Sequence, residues 1–180
     1  MKQIKKFIFF ISLLLAAASG TAIASDGTIT FNGSIIASTC AVTLNGASAS
    51  GTVDMSDVAL SQLTIGKTAG QTNFTLNLTG CTAVTGMTTV NAFFEAGAGV
   101  DVTTGNLINT GTATNVSIQL LVADTMEQII PGSFTQAQPT SSPVTAGTIG
   151  TLAYVAQYIS TGTVTAGTIV SSVTYSLVYN

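Results

Sequence analysis

The sequence predicts an all-β sandwich, on three observations. Apolar and polar residues alternate at every second position in one segment after another, the pattern of strands with one buried face. Turn-forming Gly, Asn and Pro interrupt these segments at short intervals, and nothing after residue 25 reads as a helix. Thr, Val, Gly and Ser dominate the composition, and β-branched residues favour a pleated, half-buried surface. A closed barrel has the same periodicity. After residue 25 the sequence shows neither an internal repeat nor a domain boundary.

Each element follows in chain order. Residues 27–37 place Ile29, Phe31 and Ile35 on one face, with Gly27 and Gly33 in the same register. Thr28, Thr30, Asn32 and Ser34 fall on the other face. This strand leads through Cys40 to Val42 and Leu44, and Asn45-Gly46 signals a turn. Residues 52–55 form a short strand, and 56–70 a loop with room for one helical turn near 57–63. Residues 73–79 alternate strictly, with Phe74, Leu76 and Leu78 inward, and deliver Cys81. A strand at 88–94 carries Val90, Ala92 and Phe94, and a Gly-rich turn follows at 96–105. Strands are expected at 115–123 and, briefly, at 126–130, then a surface loop at 134–147 with Pro139 and Pro143. Residues 150–159 put Leu152, Tyr154, Ala156 and Tyr158 on one face, and 162–167 turn the chain. The last strand, 169–180, aligns Ile169, Ser171, Val173, Tyr175, Leu177 and Tyr179. The total is about seven strands. An apolar strand at the end of the sequence invites pairing with another chain unless its edge is managed. The plain alternative is a strand paired on both sides within its own sheet.

Only 6% of the 180 residues are charged, against roughly 25% in an ordinary soluble domain. There is no His, Arg or Trp. Lys2, Lys5 and Lys6 crowd the N-terminus, so the body holds Lys67 against seven carboxylates, a net charge of −6. One lysine makes no basic patch, which excludes nucleic acid and an anionic membrane surface as partners. The three lysines, the apolar run 7–18 and Ala22-Ile23-Ala24 read as a cleaved signal peptide over residues 1–24, with the mature chain starting at Ser25. Export makes the only two cysteines, Cys40 and Cys81, a disulfide. Closing that loop stabilises the fold by roughly 3–4 kcal/mol in the chain-entropy account.

No enzyme is expected. Without His there is no Ser–His or Cys–His pair. The carboxylates are scattered, and Asp54 and Asp57 read as solvated loop charges. Two cysteines alone do not close a zinc shell, so neither metal nor cofactor is expected. Three Asn-x-Ser/Thr matches, at Asn73, Asn77 and Asn115, are what Thr-rich strands produce by chance.

In this order and spacing the segments resemble the chaperone–usher pilins, subunits of type 1-like fimbriae. The resemblance rests on Gly27 to Ile36 before the first cysteine, Cys40-Ala41-Val42, and Cys81. It also rests on Asn115-Val-Ser-Ile-Gln-Leu, Val164-Thr-Ala-Gly167 and the ending Val173 to Asn180 with its penultimate tyrosine. It implies an incomplete immunoglobulin-like β-sandwich, completed by a donor strand from another subunit. Donor-strand complementation is itself a known instance of β-augmentation. Residues 25–36 would be the donor extension, with Gly27, Ile29, Phe31, Gly33 and Ile35 facing the acceptor, and 37–180 the pilin domain. Val173, Tyr175, Leu177 and Tyr179 would line the acceptor groove and meet a periplasmic chaperone, which would anchor the carboxylate of Asn180. The partners implied are neighbouring subunits, that chaperone and an outer-membrane usher. The destination implied is a cell-surface fimbrium that supports adhesion, reached through the periplasm. Gly27 stands where a larger donor side chain is expected, which leaves rod and adaptor positions both open. The rival readings are a single-domain adhesin and a free-standing secreted β-sandwich binding module.

Overall fold

The computed structural model describes residues 29–32, 40–81, 89–139 and 150–180. The chain divides into two compact units, Met1–Ile35 and Ile36–Asn180. In the first, residues 29–32 carry no regular secondary structure, and Ile29 and Phe31 are 80% and 89% exposed. The expected signal peptide and most of the expected strand at 27–37, including Gly27, Gly33 and Ile35, lie outside the described residues.

The second unit holds, among its described residues, eight strands and one short 3-10 turn at Leu60–Gln62. The strands are β1 (Ala41–Leu44), β2 (Thr68–Thr79), β3 (Val90–Phe94), β4 (Leu107–Ile108), β5 (Val116–Val122), β6 (Gln128–Ile129), β7 (Gly150–Ser160) and β8 (Tyr175–Tyr179). One sheet runs β1-β2-β7-β5-β4, with β6 also paired to β5; the other is β3-β8. Every pairing is antiparallel.

Period-two alternation explains the packing. Phe74, Leu76 and Leu78 of β2 are buried, and the register Phe74↔Tyr154 and Leu76↔Leu152 sets the inward side chains of β7 beside them. Val90, Ala92 and Phe94 of β3 are buried in the same core. Phe94 meets Tyr154 edge-on, with ring centres 5.1 Å apart and planes at 87°, joining the two sheets. Phe74 packs on the same tyrosine at 5.4 Å. β2 is bulged between Ala69 and Thr72. Gly70 sits there at φ +66°, where a Cβ would lie 2.7 Å from the Tyr158 ring, so only glycine fits. The Cys40–Cys81 disulfide (S–S 2.08 Å) ties the start of β1 to the end of β2.

Four expectations are corrected. Residues 52–55 pair with no strand; Val53 and Met55 alternate because their side chains pack against the core. β2 starts five residues early, at Thr68, because it continues through the bulge. The last strand starts at Tyr175, not at 169. Residues 168–170 bond instead to loop 110–113, through Ala113 N–H to Thr168 O (3.0 Å) and Thr110 N–H to Val170 O (2.8 Å). The loop beginning at 134 is not wholly a surface loop. Gln136 and Pro139 are buried, while 140–149 lie outside the described residues.

Gln136 has a structural task. Its Oε1 accepts from Phe94 N–H at 2.9 Å, and its Nε2 donates to Phe94 O at 3.2 Å. Gln138 Nε2 donates to Ala92 O at 3.1 Å. Side-chain amides thus stand in for a strand along the outer edge of β3, satisfying groups that would be costly to bury unpaired. Phe94 O also accepts from Gly132 N–H at 2.8 Å, so loss of Gln136 orphans chiefly the Phe94 N–H. Gln136→Leu is expected to destabilise the domain by about 1–3 kcal/mol, read as a lowered urea midpoint with an unchanged m-value.

Candidate functional site

Among the described residues β8 is paired on one side only. Thr89 and Asn180 exchange two backbone hydrogen bonds of 2.9 Å, and Glu95 N–H donates to Thr174 O at 2.9 Å. These bonds fix the phase of the β3–β8 ladder. Backbone groups of Thr174, Ser176, Val178 and Asn180 face β3, so those of Tyr175, Leu177 and Tyr179 face away from it. Among the described residues no strand pairs with that second side. The same three residues, with Val173, turn half-buried side chains onto the core, whereas Ser176 and Val178 are exposed. Each odd-numbered residue therefore offers an apolar side chain to the interior and, to the edge, an N–H and C=O that no strand among the described residues takes up.

The facing wall belongs to the larger sheet. Among the described residues β1 pairs with β2 and, at Leu44, with Ser48 of the turn that follows it, and Val42 and Leu44 pack half-buried against the core. Two tyrosine hydroxyls link the walls. Cys40 N–H, at the head of β1, donates to Tyr179 Oη at 2.9 Å. Tyr175 Oη donates to Ala49 O, just beyond the turn at Asn45-Gly46, at 2.7 Å. Burial pushes the Tyr175 hydroxyl pKa upward. Among the described residues, Val42, Leu44, Tyr175, Leu177 and Tyr179 thus border a trough beside β8; its β8 edge has no strand partner among them, while on β1 the outward groups of Leu44 are bonded to Ser48 and Ala47.

A cavity of about 660 Å³ lies beside the segment that precedes β8, lined by Val53, Met55, Val58, Tyr158, Val164 and Ile169 among others. Its wall is held by paired threonine hydroxyls, Thr112 with Thr168 at 3.1 Å and Thr114 with Thr165 at 2.9 Å. Gly111 permits the close approach, since a Cβ there would sit 2.2 Å from Thr168 O. Burial and then the Asp57 carboxylate push the Tyr158 hydroxyl pKa upward. Among the described residues no three His, Cys, Asp or Glu side chains come together.

The structure brings Val173, Tyr175, Leu177 and Tyr179 onto one core-facing row, and Asn180 ends it, exposed and bonded to Thr89. Of the expected donor residues, Ile29 and Phe31 are exposed, and Gly27, Gly33 and Ile35 fall outside the described residues. Sequence reasoning missed Val42 and Leu44 as floor residues, although their alternation after Cys40 was visible. It also missed the cavity wall at Val53, Met55 and Val58, and nothing local announces that role.

Residues 52–180 match the family model described as type-1 fimbrial protein, A. The chain is 43% identical to the F17 fimbrial protein of Escherichia coli, covering 97% of this chain and 99% of that one. It is 40% identical to the major fimbrial subunit SMF-1 of Stenotrophomonas maltophilia, covering 93% and 100%. It is 29% identical to the minor fimbrial subunit HifD of Haemophilus influenzae, covering 94% and 82%. Among solved structures, a chain from a chaperone–usher pilus superposes with a TM-score of 0.61 at 19% identity, covering 90% of this chain and all of that one. The P pilus rod subunit PapA superposes with a TM-score of 0.56 at 20% identity, covering 85% and 100%. Those structures bear on the fold, an incomplete immunoglobulin-like sandwich.

The ladder phase makes a residue-by-residue expectation. In the subunit without a bound strand, amide protons of Tyr175, Leu177 and Tyr179 exchange rapidly, while those of Asn91, Phe93, Ser176 and Val178 are protected. Hydrogen exchange read by NMR checks it, and uniform protection along β8 would mean that its second edge is covered.

Proposed function

The chain belongs to the type-1 fimbrial protein family, and from that premise we propose that the trough beside β8 is the seat for a neighbouring subunit's N-terminal strand. The protein is a structural subunit of a surface fimbrium that grows by donor-strand exchange. The observation that carries the assignment is the second edge of β8, unpaired among the described residues, where Tyr175, Leu177 and Tyr179 combine outward backbone groups with half-buried apolar side chains.

The donor is residues 25–36 of the next copy, with Gly27, Ile29, Phe31, Gly33 and Ile35 turned to the trough. Their two-residue spacing matches that of Val173, Tyr175, Leu177 and Tyr179, because both rows follow the pleat of a strand. Burial of Ile29 and Phe31 contributes about 1.5–3 kcal/mol each. The three N–H and three C=O groups of Tyr175, Leu177 and Tyr179 gain a ladder in addition. The pilin domain spans 37–180, and residues 1–24 direct export to the periplasm. There a chaperone strand occupies the trough and holds the Asn180 carboxylate, and an outer-membrane usher exchanges it for the donor. A rod position is favoured over an adaptor by the 40% identity to a major fimbrial subunit, against 29% to a minor one.

A thermal melt of the mature chain tests the reading. Excess peptide covering residues 25–37 is expected to raise the melting temperature by at least about 10 °C. The same peptide with Ile29→Asp and Phe31→Asp has no such effect. A domain stable without peptide and indifferent to both would overturn donor-strand exchange for this chain.

A further inference from the structure

The small sheet has another edge, the outer side of β3, and the phase of its ladder suits that edge to a strand as well as it suits β8. Val90 stands opposite Tyr179, Ala92 opposite Leu177 and Phe94 opposite Tyr175. The bonds that join β3 to β8 belong to the residues between these, as the Thr89–Asn180 and Glu95–Thr174 bonds fix. Ala92 and Phe94 therefore turn their backbone groups away from β8, while their side chains are buried in the core. Tyr175 and Leu177 show the same combination on the opposite edge. A strand with apolar residues at every second position has no reason of phase to prefer one edge to the other.

Residues 136–138 make the difference. Gln136 Oε1 accepts from Phe94 N–H at 2.9 Å, and its Nε2 donates to Phe94 O at 3.2 Å. Gln138 Nε2 donates to Ala92 O at 3.1 Å. These contacts run antiparallel, 136 to 94 and 138 to 92, at the two-residue spacing of a paired strand. Ala137 between them packs against the core. The segment thus imitates a strand with side-chain amides in place of peptide groups, since an amide carries the same kinds of donor and acceptor. Unlike a strand, a side-chain amide offers no second row of backbone groups to a further strand. Gln136 is also held in its pose, because its Nε2 reaches Ser133 O at 3.1 Å and its N–H donates to the same oxygen at 3.2 Å. A glutamate there would accept from Phe94 N–H but, ionised, would have nothing to donate to Phe94 O.

We infer that Gln136 and Gln138 are specificity-determining residues for strand exchange, closing the outer edge of β3 so that an incoming strand is taken at β8. The inference rests on the proposed donor-strand reading and adds why the strand enters on one side of the small sheet. Leucine at both sites keeps a similar volume and removes the three amide bonds. Of the bonds to Ala92 and Phe94 described above, Gly132 N–H to Phe94 O at 2.8 Å then remains. The edge is left open to a second strand.

The test titrates the mature subunit, Gln136→Leu, Gln138→Leu and the double variant with labelled peptide 25–37, and follows amide exchange along the titration. The wild type is expected to take one peptide and the double variant to approach two. In the wild type the Phe94 amide stays protected throughout. In the double variant it exchanges roughly tenfold faster without peptide, and it regains protection as the second peptide binds. A merely structural role would speed that exchange and leave the stoichiometry at one. That result, or a wild type that already takes two peptides, overturns the inference. A wild type that takes none, beside a double variant whose Phe94 amide is protected by peptide, counts against the donor-strand reading alone. No binding by either chain counts against both. Should the double variant not fold, Gln136→Leu carries the same comparison, because Gln136 is the residue that takes the Phe94 N–H.

Discussion

Among the described residues β8 has a strand neighbour on one side and none on the other, and much of the molecule is arranged around that asymmetry. The phase of its ladder with β3 couples two properties that could have been independent. Residues whose backbone groups lack a strand partner among the described residues are the same residues whose side chains face the core. A missing strand therefore costs the domain twice, in hydrogen bonds and in apolar burial, and both losses are recovered together when a strand is added. The recovery is also selective. A strand that pairs out of phase meets the floor with its polar face.

The remaining edges show that openness at β8 is not general laxity. The outer edge of β3 is closed by Gln136 and Gln138, whose amides take up the main-chain groups of Ala92 and Phe94. β4 is only two residues long, a short edge of the kind that discourages pairing with strangers. The approach to β8 is fastened to loop 110–113 by backbone bonds and threonine hydroxyl pairs. Against these satisfied edges, the second side of β8 stands out as lacking a strand partner among the described residues.

The long elements were legible because alternation reports burial. β2, β5 and β7 were anticipated from Phe74-x-Leu76-x-Leu78, Asn115 onward and Leu152-x-Tyr154. The row Val173 to Tyr179 reads as one face of a strand from alternation alone. What alternation does not report is pairing. Val53 and Met55 alternate like a strand and belong to none, because their side chains pack while their backbone stays outside both sheets. Residues 168–170 alternate as well, yet their backbone bonds go to a loop. β4 escaped notice because two residues carry no period. The amide caps at Gln136 and Gln138 were illegible for a different reason. Their partners lie 42 and 46 residues away, and a buried glutamine in a Pro-bounded loop looks like a solvated one.

Charge has little part in choosing the partner. The body carries Lys67 against seven carboxylates, so copies of this chain repel weakly, and salt screens much of that repulsion beyond about 8–10 Å. Complementary charge is the usual source of specificity at a polar interface, and here it is nearly absent. Specificity must come from geometry instead. The proposed donor row Gly27, Ile29, Phe31, Gly33, Ile35 is a pattern of small and large side chains at two-residue spacing. Shifted by one residue, that row would set Thr28, Thr30, Asn32 and Ser34 on an apolar floor. Shifted by two, it would move Ile29 and Phe31 each to the neighbouring seat, so the glycines mark the register as firmly as the large residues do. With only 6% of its residues charged, the chain has few long-range forces with which to attract a wrong partner, and it relies on a fit that one kind of strand in one register can make.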